Sequence, residues 1–177
     1  MTILRRALGR RGLLGWPVLL ALPGCGFHPL YASDGPAAGP AREGLGLIAV
    51  AIIPERVGQL LRQALQARFD HGDAPSAKRF DLAVSFSFGA EGIAIQHDNT
   101  VTRIRFIGQA KWTLTKRDAA RATVTTGSAR VVDGLNTFDE QYFAQDMETE
   151  SVQRRVTDEV ANQITTQLAT FFDKHPV

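Results

Sequence analysis

Three stretches of this 177-residue chain alternate between apolar and polar residues with a period of two, and this repeat constrains the fold most strongly. In the clearest stretch, Phe80 to Phe88, every second residue is apolar. A similar alternation runs from Thr102 to Thr115, and a third covers Thr123 to Val132 with a slipped phase that is typical of a β-bulge. Because side chains alternate across a strand, these stretches predict an antiparallel sheet with one buried face.

The segments on either side of this sheet complete a pattern of six elements. Leu45 to Ile53 is apolar on both faces, as in a strand that is covered on two sides. Pro54 then begins a helix that is expected to end near Gly72. A longer helix is predicted from Asp146 to about Asp173. Its apolar stripe consists of Val152, Val156, Val160, Ile164, Leu168 and Phe171.

The order β-α-β-β-β-α predicts an α+β fold. Helices that pack on one side of a sheet form a two-layer sandwich. We therefore expect a four-stranded, mostly antiparallel sheet with two helices on one face.

The first 24 residues have the features of a secretory signal peptide. Four arginines precede an apolar stretch, Gly12 to Leu22, which is about half as long as a membrane-spanning helix. The stretch ends in Leu22-Pro23-Gly24-Cys25, the pattern of a lipobox. We predict that cleavage leaves Cys25 as the lipidated N-terminal residue, and that this covalent lipid is the chain's only cofactor. The alternative is an ordinary signal peptide beside a chance cysteine, and export by either the general secretory or the twin-arginine route remains open.

The chain is thus expected to divide into three regions: a signal peptide over residues 1–24, a lipidated N-terminus with a flexible tether over 25–44, and a folded domain over 45–177. The tether is rich in glycine, proline and alanine, which favour an unpacked linker. Gly26 follows the cysteine where aspartate would favour retention in the inner membrane. This residue favours an anchor in the outer membrane, at its periplasmic face.

The composition of the mature chain argues against several classes of function. Loss of the signal arginines leaves 16 basic against 18 acidic residues, a net charge of −2, so bulk charge does not favour nucleic-acid binding. Cys25 is the only cysteine, and the four histidines are scattered without the spacing of a metal site. Neither a Gly-x-Ser-x-Gly elbow nor a glycine-rich phosphate loop is present, so we predict that the protein is not an enzyme.

Three stretches of the chain resemble the LPS-assembly lipoprotein family LptE, also called RlpB, in its alphaproteobacterial form. The first is Gly24-Cys25-Gly26-Phe27-His28-Pro29-Leu30-Tyr31, which is short, unusual and next to the lipid site. The second begins at Phe80-Asp81-Leu82 and passes through Ile93–Gln96 and Thr102-Arg103 to Ala110–Leu114. The third is Tyr142-Phe143-Ala144, followed by the long helix that ends at Leu168–Phe172.

This resemblance implies that residues 45–177 form an LptE-like domain. It also implies an outer-membrane lipoprotein that plugs the LptD β-barrel and helps to assemble it for insertion of lipopolysaccharide into the outer leaflet. LptD is then the expected partner, and lipopolysaccharide a candidate ligand. The alternative, from a different class, is an envelope lipoprotein that binds a small or lipid ligand as an accessory subunit of a transporter.

Four basic residues are candidates for contact with lipopolysaccharide or with acidic residues of the barrel. Arg103, Arg105 and Lys111 share the polar side of one predicted strand, and Arg130 lies in the next. Arginine binds phosphate in a bidentate manner, and lipopolysaccharide carries phosphates. The alternative is a solvated sheet face that charge protects from aggregation.

An acidic segment, residues 133–146, carries three aromatic residues, Phe138, Tyr142 and Phe143. Aromatic side chains in a polar loop are typical of a protein interface. They are also compatible with local packing beneath the long helix, and the sequence leaves both interpretations open.

Overall fold

A computed structural model describes residues 39–70, 77–95, 101–136 and 142–177 of the chain. These residues form three helices and four strands, and the predicted α+β class is confirmed. The helices are α1 (Pro40–Gly46), α2 (Arg56–Phe69) and α3 (Tyr142–Lys174). The strands are β1 (Ile48–Val50), β2 (Phe80–Ile95), β3 (Val101–Lys116) and β4 (Thr123–Asn136).

The strands form one sheet in the order β1-β2-β3-β4. β1 is parallel to β2, whereas the other neighbours are antiparallel. The slipped phase in the third alternating stretch corresponds to a real irregularity: Leu114 pairs with Thr125 but Thr115 pairs with Thr123, so Val124 has no partner across the ladder. The bulge expected from the sequence is therefore present.

The helices cover the face of the sheet that carries the apolar residues of each strand. Phe80, Leu82 and Val84 of β2 are buried there, as are Trp112 and Leu114 of β3. Five members of the stripe predicted for α3 are at most 1% exposed, namely Val152, Val156, Val160, Ile164 and Leu168. The last position differs from the prediction. Phe172 is fully buried, with its ring 5.5 Å from that of Phe80 between centroids and tilted by 55°, while Phe171 is only partly buried.

The tether predicted over residues 25–44 is wrong in its last residues, because a helix begins at Pro40. Proline fits the first helical turn, where its missing N–H is not needed. Ala41, Gly44 and Leu45 are buried against the rest of the core. A β-carbon at Gly44 would overlap the ring of Phe172, so the close approach of α1 and α3 requires a glycine there.

The strand predicted over Leu45–Ile53 is correspondingly shorter, since only Ile48–Val50 pair with β2. The helix after it begins at Arg56 rather than at Pro54. Glu55 between them has a φ of 67°, a left-handed conformation that interrupts regular structure.

The long helix also begins earlier than Asp146, at Tyr142. Ala144 and Gln145 favour helix, so the chain is already helical when it reaches Asp146, which is exposed within the first turns. With 33 residues at about 1.5 Å each, α3 is about 50 Å long, and it packs against β3 and β4 on the helix side of the sheet.

Candidate functional site

The face of the sheet opposite the helices is the candidate site, and we call it the outer face. No helix covers it within the part of the chain that the structure describes, and its residues are the ones that alternate with the buried apolar set. Its central residues are Ala83, Ser85, Ser87, Gln109, Lys111, Thr113, Thr126, Ser128 and Arg130. A sheet with one polar, uncovered face can offer a broad, flat surface to a partner.

The strand register places all four predicted basic residues on the outer face. Arg103, Arg105 and Lys111 are odd-numbered residues of β3, and Arg130 pairs directly with Gln109 across the β3–β4 ladder. All four are exposed. The structure therefore brings the four together on one surface, while their role in binding stays a prediction.

Arg105 does not act as an isolated cation, because it forms an ion pair with Glu91. The two residues are directly opposite in the β2–β3 ladder, and Arg105 Nη2 lies 2.6 Å from Glu91 Oε2. Glu91 was not among the residues predicted for the site, since finding it requires the hairpin register as well as the alternation. Opposite charges across a ladder partly neutralise each other, so this end of the outer face is weaker in attracting anions.

Lys111 and Arg130 flank a shallow depression of about 440 Å³ in the centre of the outer face. Its polar lining consists of Ser85, Ser87, Gln109, Lys111, Ser128 and Arg130. Among the described residues, no acidic side chain forms an ion pair with either cation. One ammonium, one guanidinium, several hydroxyls and an amide together can donate hydrogen bonds to an anionic group such as a phosphate.

A second depression, of about 330 Å³, lies beside the first and has a more apolar rim. Ile52 stands at its edge with 77% of its surface exposed, next to Ala51 and Ala83. The loop that presents Ile52 is held firmly, because its neighbour Ile53 is fully buried and the Ile53 carbonyl accepts a hydrogen bond from Gln59 Nε2 at 2.5 Å. Ile52 was predicted to lie within a strand, and the periodicity of the sequence does not indicate this surface.

The LptE family model, described as lipopolysaccharide-assembly, matches residues 45–168 of this chain. This range is most of the chain and includes the whole sheet. The chain belongs to the LptE family. The resemblance identified from the sequence is thus confirmed, and membership supports a role in lipopolysaccharide assembly as a lipoprotein of the Gram-negative envelope.

Solved structures share the fold at low sequence identity. A chain from Caulobacter crescentus, described as a lipoprotein, is 22% identical with a TM-score of 0.60, and the match covers 75% of this chain and 95% of that one. The rare lipoprotein B from Shewanella oneidensis is 11% identical with a TM-score of 0.52, covering 70% and 92%. Lipoprotein B from Nitrosomonas europaea is 14% identical with a TM-score of 0.51, covering 70% and 81%. No curated protein matches this chain.

The match to the LptE family covers the four basic residues but not the predicted lipid site. Cys25 lies outside the described residues, and so does Phe138. For Tyr142 and Phe143 the structure describes the helical backbone of α3 but not the side chains, so the predicted aromatic interface stays a prediction.

The LptE family is a family of accessory lipoproteins that are not enzymes, and the absence of catalytic activity in this chain stays a prediction. In the described part of the chain, no helix is both long enough and apolar enough to span a membrane. Within the same residues, no cluster of three histidine, cysteine or acidic side chains could hold a metal ion.

Proposed function

We propose that this LptE-family protein is anchored by lipid on Cys25 to the periplasmic face of the outer membrane, where it plugs the LptD β-barrel and helps to assemble it. The barrel then inserts lipopolysaccharide into the outer leaflet. The observation that carries the proposal is the family match over residues 45–168, because it includes every strand of the sheet and most of α3.

The shape of the domain supports a plug. Large β-barrels enclose a wide, polar lumen that must be filled to prevent leakage. The outer face is polar and exposed, and α3 packs against β3 and β4 from the other side of the sheet. A domain of this kind can lie against a polar lumen wall without burying apolar surface that would aggregate before assembly.

The depression between Lys111 and Arg130 is the proposed contact for phosphate groups of lipopolysaccharide or for acidic residues of the barrel. Lys111 is central, since its strand neighbours on the two sides are Ser85 and Ser128. Arg103 and Arg105 extend the same basic surface towards the end of the hairpin, although Glu91 reduces the contribution of Arg105.

Depletion of the protein in its native host tests this function. We expect the amount of folded LptD and of surface-exposed lipopolysaccharide to fall together, and expression of the unchanged protein to restore both. A Cys25→Ala protein should restore them only partly, since it lacks the lipid that holds the plug at the membrane. Normal levels of folded barrel and surface lipopolysaccharide after depletion would contradict the proposal and favour a ligand-binding lipoprotein.

A further inference from the structure

The edge of β2 that faces away from β3 is mostly without a partner. β1 pairs only with Phe80–Leu82, and the Ala51 N–H adds one bond to the Leu82 carbonyl before the chain turns towards α2. β2 itself continues to Ile95. Within the described ranges, no strand pairs with β2 on this side beyond Leu82.

The backbone groups that point out of this edge can be identified from the hydrogen bonds around it. The Arg79 carbonyl accepts from Arg117 N–H on the β3 side, whereas the Leu82 carbonyl accepts from Ala51 N–H on the β1 side. Residues alternate in this respect along an antiparallel strand. The even-numbered residues Val84, Phe86, Phe88, Ala90 and Gly92 therefore direct their N–H and C=O groups outwards. We call this row the open edge.

The opposite edge of the sheet, on β4, is protected in ways that the open edge is not. Gln167 Nε2 donates to the Ser128 carbonyl at 3.0 Å, and the Gly134 N–H donates to Asp133 Oδ1 at 2.7 Å. By the ladder register both of these backbone groups point out of the sheet. Side chains that cap edge groups prevent strand pairing, and so does the bulge at Val124.

From Val84 to Gly92 the open edge has no comparable protection among the described residues, and the irregularities of β2 lie beyond it, between Gly92 and Ile95. Between Ala83 and Gly92 there is no lysine, arginine or proline. These residues commonly prevent other strands from pairing with an edge strand. The only charge is Glu91, and Arg105 pairs with it. A row of unpaired backbone N–H and C=O groups can bind an extended polypeptide, which then adds one strand to the sheet.

Apolar contacts are available next to the same row. Phe86 and Phe88 are only partly buried on the helix side. Ile52 stands exposed on the other side, at the end of the row where β1 stops. An added strand would therefore gain apolar contacts on the helix side, and one apolar contact beside Ile52 on the outer face.

We infer that the open edge pairs with an extended segment of the LptD barrel protein, an inference that rests on the proposed function. The closed wall of a barrel uses all of its own backbone hydrogen bonds, so the segment is a loop or terminus that reaches into the lumen. Its side chains alternate, with apolar residues towards Phe86 and Phe88 and small or polar residues beside Ser85 and Ser87.

A second copy of this chain fits the open edge less well. If two β2 strands paired in antiparallel fashion with Val84 of one copy opposite Gly92 of the other, residue 94 of β2 would lie opposite Leu82 of the second copy. Leu82 already pairs with Val50 of β1 on that edge, so β1 and the end of β2 would compete for the same position in this register. A free extended segment has no such conflict because it can end beside Ile52.

Hydrogen exchange followed by mass spectrometry tests the pairing directly. The full-length mature lipoprotein is compared alone and in its purified complex with LptD, through peptides that cover residues 83–92. An edge amide that is hydrogen-bonded to an added strand exchanges only when that pairing opens. We therefore expect the outward amides of the open edge to exchange at least about tenfold more slowly in the complex than in the lipoprotein alone. A complex that forms without this protection would overturn the inference and leave the proposed function intact.

A pair of proline variants provides the matched comparison. Ala90→Pro removes an outward N–H from the open edge and leaves the bonds to β3 in place, whereas Val132→Pro does the same on the β4 edge. We expect Ala90→Pro to weaken the complex by at least about tenfold and Val132→Pro by less than about twofold, once circular dichroism shows that both are folded. Equal effects would contradict the inference.

Two further results would also overturn the inference that the open edge pairs with a segment of LptD. If residues 83–92 become protected in the lipoprotein alone as its concentration rises, together with dimer formation, the occupant is a second copy. If no complex with LptD forms, the proposed function fails and the inference fails with it.

Discussion

The side-chain amide of Gln167 on α3 accepts a hydrogen bond from the indole Nε1 of Trp112 on β3, at 3.2 Å. The same amide donates to the Ser128 carbonyl of β4, so one side chain joins the helix to two strands. The indole also covers Gly127, where a β-carbon would overlap the ring. This contact joins α3 to β3 and β4 on the side of the sheet opposite the outer face.

Replacement of Gln167 by leucine should lower the free energy of unfolding by about 1 kcal/mol, because the indole N–H and the Ser128 carbonyl lose their protein partner. Trp112 is the only tryptophan beyond the predicted signal peptide, so its fluorescence during urea denaturation reports the transition. Gln163→Leu, one turn earlier in α3, is the control. An equal loss in the two variants would show that the bridge contributes nothing specific.

Gly108→Ala should destabilise the domain by about 1–3 kcal/mol, because it overfills a tight contact. A β-carbon at Gly108 would lie 2.5 Å from Val156 Cγ1 on α3. Gly89→Ala is the matched control in β2, since it meets nothing within 4 Å and should change stability by less than about 0.5 kcal/mol. Adding Val156→Ala should recover part of the loss in a double-mutant cycle, and strict additivity of the two changes would contradict the contact.

Reversal of charge at the central depression, Lys111→Glu with Arg130→Glu, should weaken binding of the purified protein to lipopolysaccharide by about tenfold or more. The attraction should also fall as salt is added, because both side chains are exposed. The control is Arg154→Glu with Lys174→Glu, which changes net charge equally on α3. If both double variants bind alike, the depression is not the anion site.

Glu91→Gln should strengthen lipopolysaccharide binding by about two- to threefold, because it releases Arg105 from its ion pair on the outer face. Stability should change by less than about 1 kcal/mol, since the pair is exposed. Glu159→Gln on α3 removes the same charge away from the outer face and should leave binding unchanged. If the Glu91→Gln protein binds lipopolysaccharide equally or more weakly, Arg105 does not belong to the proposed contact surface.

The strands and the long helix could be predicted because their patterns are strong and local. The alternation in β2 and β3 and the stripe of α3 both follow from burial of one face, which acts on every residue of the element. The bulge at Val124 was visible as a change of phase. These features place Arg103, Arg105 and Lys111 on one face of β3, whereas the position of Arg130 beside them depends on the β3–β4 register.

The features that the sequence did not reveal depend on tertiary contact. The helix at Pro40 forms where α1 packs against Phe172, more than 120 residues later in the chain. The Glu91–Arg105 pair needs the hairpin register, and the exposure of Ile52 needs the left-handed Glu55 that turns the chain into α2. None of these three features follows from the periodicity of a single segment.

The most direct test of the central claim is purification of the tagged, full-length protein from native membranes in mild detergent, with mass spectrometry of the intact complex. The account predicts one stoichiometric partner, the LptD β-barrel, and a weaker yield of the same complex from a Cys25→Ala strain. Recovery of inner-membrane transporter subunits instead, or of the lipoprotein alone, would contradict it.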